Sequence, residues 1–261
     1  MKKALTIEKL KLKSDAGRFR QEKVKQMKLL AIESSGLVAS AAIVTEDTLL
    51  AEYTVNFKKT HSQTLLPMVE EIVNMVGIEL KELDAIAVSA GPGSFTGLRI
   101  GSATAKGLGL ALNKPIVPVP TTQGIAANLY GAEGIICPLM DARRNQVYTG
   151  LYRYNKNGFE IIEDQMAVLV DEIIEKVNAF GEPVTYLGDG VDAFAEILAE
   201  KTTVPFSFAP LHANKQRAGA MAARAVELFQ AGVFETAAEH EPEYLRLSQA
   251  ERELKEKQAR E

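Results

Sequence analysis

The residues of this chain best suited to chemistry fall in three turns. The longest is Ser89-Ala90-Gly91-Pro92-Gly93-Ser94-Phe95-Thr96-Gly97-Leu98-Arg99-Ile100-Gly101, between a buried-strand pattern and a helical one. Glycines at such a turn let backbone N–H groups approach a ligand, and a helix N-terminus favours negative charge. Gly91, Gly93, Ser94 and Thr96 could cradle an anion, with Arg99 adding a bidentate contact to a carboxylate or phosphate. The same residues equally suit a tight connection, with unusual backbone angles at the glycines and a cap at Ser94 or Thr96. The stretch lacks the Gly-Lys-Ser/Thr of a P-loop and the third glycine of a dinucleotide fingerprint.

The other two turns are shorter. Glu33-Ser34-Ser35-Gly36 offers a carboxylate and hydroxyls, which can meet metal-bound phosphate or simply satisfy the turn's own backbone. Gly188-Asp189-Gly190 is a similar turn in the second half, with the same two readings. Metal chemistry has little support, because His61, His212 and His240 are far apart and form no helical ligand pair. There is no G-x-S-x-G elbow to mark a serine nucleophile. Cys137, within Ile135-Ile136-Cys137-Pro138, reads as a buried strand residue.

The elements that must position these turns follow from hydrophobic periodicity. Three strands joined as hairpins are expected at 28–33, 37–45 and 48–57. The stripe Leu65, Leu66, Val69, Ile72, Val73 and Val76 predicts an amphipathic helix over 61–77, stopped by Gly77. A strand at 84–90, a helix at 96–112 rich in glycine and alanine, a strand at 115–119 and a helix at 121–130 come next. The second half repeats the order: strands near 134–140, 146–154 and 160–168, a helix near 170–179 and a strand at 184–187. A helix near 191–200, a strand near 204–208 and a helix near 213–231 complete it. The expected fold is therefore α/β, with two similar lobes, 27–130 and 131–247, each a mixed sheet with flanking helices.

Composition bounds the function. The 261 residues carry 30 basic and 34 acidic side chains and are 46% hydrophobic and 25% charged, as in a globular protein with a substantial core. One cysteine excludes a disulfide scaffold, and with no apolar leader the expected location is the cytoplasm. No apolar run approaches the about 20 residues of a membrane span. Residues 1–26 hold nine bases against three acids, which leaves the other 235 residues at −10. That segment reads as a basic extension ahead of a domain starting at Met27, and 248–261 as a charged tail. An acidic body does not bind phosphate polymers strongly by itself, so any RNA is expected to be held through more basic partners.

Five stretches then resemble one family in their order along the chain. They are Met27–Ser35, His61-Ser62-Gln63-Thr64-Leu65-Leu66-Pro67, Gly91–Gly101, Met140-Asp141-Ala142-Arg143-Arg144 and Pro242-Glu243-Tyr244-Leu245-Arg246. Over roughly 27–247 the chain is similar to the TsaB (YeaZ) family, within the wider TsaB/TsaD, glycoprotease-like group. The resemblance implies the actin/Hsp70/sugar-kinase-like (ASKHA) fold. It also implies pairing with a TsaD-like catalytic subunit and a TsaE-like ATPase, and a share in forming N6-threonylcarbamoyladenosine (t6A) at position 37 of tRNA. The complex would use ATP and threonylcarbamoyl-AMP, and this chain would hold no cofactor or metal. TsaD-like proteins carry two metal-binding histidines in H-x-x-G-H, where this chain reads Thr121-Thr122-Gln123-Gly124-Ile125. Without those imidazoles the chain is expected to be a non-catalytic subunit, a pseudoenzyme. From the small residues of helix 96–112 and the apolar stripe of helix 61–77, docking is expected through His61, Leu65, Val69, Ile72, Gly97, Gly101, Ala105 and Leu108, with an ordinary packed core face as the competing reading of each helix. The same surface would support a homodimer of the isolated chain. The rival readings are an ASKHA-fold ATPase or small-molecule kinase and, more weakly, a glycoprotease-type peptidase.

Overall fold

A computed structural model describes residues 26–57 and 61–246. The tail at 248–261 and all but the last residue of the 1–26 extension lie outside the described residues. The first half runs β1 (Leu29–Glu33), β2 (Ala39–Val44), β3 (Leu49–Val55), α1 (His61–Val76), β4 (Ala85–Gly91), α2 (Phe95–Leu112), β5 (Ile116–Pro120) and α3 (Thr121–Ala126). The second half runs β6 (Ile135–Asp141), β7 (Gln146–Asn155), β8 (Gly158–Leu169), α4 (Val170–Phe180), β9 (Val184–Leu187), α5 (Gly190–Lys201), β10 (Phe206–Phe208) and α6 (Ala218–Gln230).

The strands form two five-stranded sheets, ordered β3-β2-β1-β4-β5 and β8-β7-β6-β9-β10. In the first, β1–β2 and β2–β3 are antiparallel, whereas β1–β4 and β4–β5 are parallel. The second repeats every one of those directions. The duplication expected from the order of elements is therefore a duplication of topology.

The central strand β1 reads Leu-Leu-Ala-Ile-Glu and is buried along its whole length. A continuous apolar run suits a strand covered on both faces. Leu30 and Ile32 face α1 and α2, together with Ile43, Leu65, Val69, Ile72, Ile86 and Ala105. Leu29 and Ala31 face the other way, against Met221, Ala222 and Ala225 of α6. In the second lobe one face of the sheet packs on α4 and α5 through Ile173, Ile174, Val177 and Leu198. The opposite face meets α3 through Ile125 and Ala126.

Helix α6 follows the second sheet in sequence but covers the first. Its leading N–H groups are satisfied from that sheet. Ala218 N donates to Ser40 Oγ (3.0 Å) and Gly219 N to Glu52 Oε1 (3.0 Å), which places a carboxylate at the positive end of the helix. The chain then adds one more contact to the first lobe, where Glu235 pairs with Ile116 of β5 (both N···O 2.9 Å). The first lobe is thus built from both ends of the described chain. The helix expected from 213 begins only at Ala218, because the preceding backbone is held in other bonds. Ala213 N donates to Pro210 O, and the carbonyl of Asn214 accepts from Gly188 N.

Candidate functional site

The three turns singled out by sequence converge between the lobes, but they do not all face solvent. Glu33 ends β1 and is 2% exposed. Its carboxylate accepts from Ser35 N (2.7 Å), Ser35 Oγ (2.6 Å) and Ser89 Oγ. Burial pushes its pKa up, and the hydrogen bonds from Ser35 and Ser89 pull against that rise. Glu33 is thus a latch between two turns and is turned away from the cleft. Ser34 is equally internal, donating to Gly97 O (2.9 Å), while Ser94 N donates to Ser35 O (2.6 Å). The β1–β2 turn therefore lies directly on the start of α2. Side chains at Gly93, Gly97 or Gly101 would each collide with Ser34 or Ser35. This close approach is the physical reason for three glycines there.

A cleft of about 460 Å³ opens beside these turns, bordered by Ser35, Gly36, Gly93, Ser94 and Thr96 on one lobe and by Asp141, Arg143, Tyr148 and Asp189 on the other. Ser94 caps α2, accepting from Gly97 N (3.3 Å). Asp189 stands at the start of α5, and burial raises its pKa against the pull of Lys215. Its neighbour Gly188 has φ +103°, and Leu139 O fills the place a side chain would need; Gly190 packs against the same residue. Arg143 reaches back to Asp141 (3.1 Å) and is 84% exposed along its side chain. Arg99, expected to add an anion contact, does not line this cleft. Arg99 lies outside, stacked 4.0 Å over the Phe95 ring. A further wall of the cleft is Glu243, Tyr244, Leu245 and Arg246. Gly91 is reserved for this wall, because Glu243 O fills the place of a Cβ there. Asp141, Arg143 and these C-terminal residues had been marked only by their family motifs.

Most of the residues expected to meet a partner lie inside the first lobe. Leu65, Val69, Ile72 and Ala105 are 4% exposed or less and belong to the first lobe's core. Gly97 and Gly101 face Ser34, Leu108 is half-buried, and His61 Nε2 lies 2.8 Å from Gly36 O. A helix has two sides, and it is the other side of α1 and α2 that meets solvent. On α1, Leu66 (53%) and Met75 (79%) are exposed on opposite flanks of the buried stripe, and on α2 Leu110 (63%) is exposed. On α2, Ala103, Gly107 and Ala111 are also exposed, one turn apart.

Helix α3 carries Thr121-Thr122-Gln123-Gly124-Ile125, the stretch that the resemblance aligns with H-x-x-G-H. Thr121 and Ile125 are each 1% exposed, and Ile125 packs among Ile136, Met140, Tyr152 and Leu187. Thr122 Oγ1 lies 2.7 Å from Tyr152 Oη, and Gln123 Oε1 accepts from Arg224 Nε (3.0 Å). Among the described residues no group of three His, Cys, Asp or Glu is placed to hold a metal ion. Cys137 is fully buried, and burial pushes its thiol up to about 12. No helix among the described residues is long and apolar enough to cross a membrane.

A twice-repeated sheet of this order, helices on both faces and a cleft between the halves define a member of the ASKHA fold class. Comparisons with known proteins narrow that class. Residues 48–256 match the family model of TsaD, tRNA N6-adenosine threonylcarbamoyltransferase. The chain is 35% identical to the tRNA threonylcarbamoyladenosine biosynthesis protein TsaB of Bacillus subtilis, over 86% of this chain and 96% of that one. It is 34% identical to the Escherichia coli protein of the same name, over 68% and 78%. The solved structure of YeaZ from Pseudomonas aeruginosa superposes with a TM-score of 0.71 at 26% identity, covering 84% of this chain and all of that one. The chain belongs to the TsaB family.

Proposed function

We propose that this chain is a non-catalytic subunit in the biosynthesis of t6A at position 37 of tRNAs that read codons beginning with A. In this reading it pairs with a TsaD-like subunit, which performs the transfer, and works beside a TsaE-like ATPase. The observation that carries it is Ile125. An isoleucine packed among Ile136, Met140, Tyr152 and Leu187 occupies a position where the resemblance calls for an imidazole. ATP and threonylcarbamoyl-AMP are then handled by the partners, and this chain holds neither cofactor nor metal. The engagement of Glu33 by Ser35 and Ser89 removes that carboxylate from the kinase or ATPase alternative, which would have to rely on Asp141 or Asp189 at the cleft.

The docking surface is the outer side of α1 and α2. On α2 a stripe of small residues, Ala103, Gly107 and Ala111, lies exposed beside Leu110, and another helix can approach it closely. The same face would let the isolated chain form a homodimer that competes with the heterodimer. The acidic body leaves most tRNA phosphate contacts to the partners, in the cytoplasm where those partners work. The test is reconstitution of TsaD-like and TsaE-like proteins, the adenylate donor and tRNA, with and without this chain, followed by nucleoside mass spectrometry. Modification should depend on adding this chain. Full-rate modification without it, or transfer by this chain alone, would overturn the reading.

A further inference from the structure

The segment after α6 divides into two parts held in different ways. The first, Glu235–His240, is anchored. Glu235 is paired with β5, Ala237 is 5% exposed within the core, and the His240 ring is fully buried with Nδ1 2.6 Å from Glu235 Oε1. Lys106 Nζ of α2 donates to the His240 carbonyl (2.6 Å).

The second part, Glu241–Arg246, contributes no buried side chain. It is held by a few contacts, and these divide between the lobes. On the first lobe, Glu243 N donates to Ala90 O (2.7 Å), the Tyr244 ring lies 4.8 Å from Phe95, and Arg99 Nε reaches Tyr244 Oη at 3.4 Å. On the second lobe, Gln165 of β8 donates to Glu243 Oε2 (2.7 Å) and Arg246 donates to Ala142 O. Glu243, Tyr244, Leu245 and Arg246 together form one wall of the interlobe cleft. A segment with a buried anchor on one side and shallow polar contacts on the other opens locally at much lower cost than the core.

We propose that Glu241–Arg246 is a lid, hinged at Glu241-Pro242, and that its seating across both lobes sets how far the cleft closes. The lid is the chain's own occupant of the cleft mouth, so whatever displaces it also frees the lobes to move apart. The distinction between anchor and lid is what the experiment reads.

The test uses the full chain carrying Tyr244→Ala and Arg246→Ala together, with Tyr244→Phe as the conservative control. Hydrogen exchange of residues 241–246 and of the 141–145 turn should rise by about tenfold or more in the double variant, while β1 and β4 stay protected. Spin labels at Ser62→Cys on α1 and Glu196→Cys on α5, both exposed, should report a broader interlobe distance distribution. Tyr244→Phe keeps the ring pair and should behave as the parent. Unchanged exchange in the lid overturns the proposal. So does a loosened lid with an unchanged distance distribution, because closure is then set elsewhere. Equal loss of protection in β1 and β4 also overturns it, by showing the segment to be part of the core.

Discussion

Gly107 separates the fold from the interface in a single experiment. It lies within the 18-residue helix α2, and a methyl group built on it would find nothing within 4 Å. Within a helix, Ala is more favourable than Gly by about 0.8–1 kcal/mol. With no clash to offset that gain, Gly107→Ala should stabilise the isolated chain by nearly the whole amount. For a protein of this size that is about 2–4 °C in thermal midpoint. Gly107→Arg should also leave the isolated fold intact, since Arg is a good helix former and the site is open. Against a TsaD-like partner the same arginine would stand between two closely packed helices. Affinity should then fall at least tenfold, or about 1.4 kcal/mol, by calorimetric titration. The assay is thus a pair: a melting curve for the chain alone and a binding isotherm for the complex. If Gly107→Ala lowers the midpoint, the position is not open. If Gly107→Arg binds as tightly as the parent, the outer face of α2 is not the docking surface.

Three further outcomes follow from the geometry. Gly97→Ala, on the inner side of the same helix, would press a methyl group onto the backbone carbonyl of Ser34; the melt should show a loss of about 1–3 kcal/mol, opposite in sign to Gly107→Ala. Ile125→His should destabilise by about 2–4 kcal/mol without creating transferase activity, since one imidazole would replace packed aliphatic surface; a stable variant that binds zinc would refute the packing argument. Glu33 has a pKa raised by burial, so its contribution to stability is complete below its ordinary value of 4.5 and is lost as pH rises through the folded-state value. Glu33→Gln should therefore flatten the dependence of the thermal midpoint on pH above 4.5, and an identical slope in both proteins would exclude Glu33 as its source.

Strands and helices were legible wherever one side of an element is apolar. Every strand from β1 to β10 falls within a few residues of its expected place, and the doubling of the lobes was visible in their order. The partner face was not legible in the same way. Helix α2 has small residues on both sides, Gly97, Gly101 and Ala105 inward and Ala103, Gly107 and Ala111 outward, and periodicity does not say which stripe meets the sheet. On α1 the apolar stripe suited either core or interface: Leu65, Val69 and Ile72 turn out to be core, whereas Leu66, counted in the same stripe, is exposed, and periodicity does not separate them. The lid escaped for another reason. Residues 241–246 have no periodicity, and their contacts lie up to 153 residues away in sequence, as in Glu243 N to Ala90 O. Only the motif Pro242-Glu243-Tyr244-Leu245-Arg246 marked the place.

The placement of α6 has a consequence for biosynthesis on the ribosome. The sheet made first, from residues 29 to 120, has one whole side that only residues 218 onward can cover. Leu29, Ala31, Val117 and Val119 must therefore wait, open to water, until nearly all of the polypeptide has emerged. The later-made half, whose helices α4 and α5 are interleaved with its own strands, has no such delay. Nascent chains that stop short of Ala218 would release the earlier half with its inner surface bare, a substrate for chaperones and proteases rather than a smaller working protein.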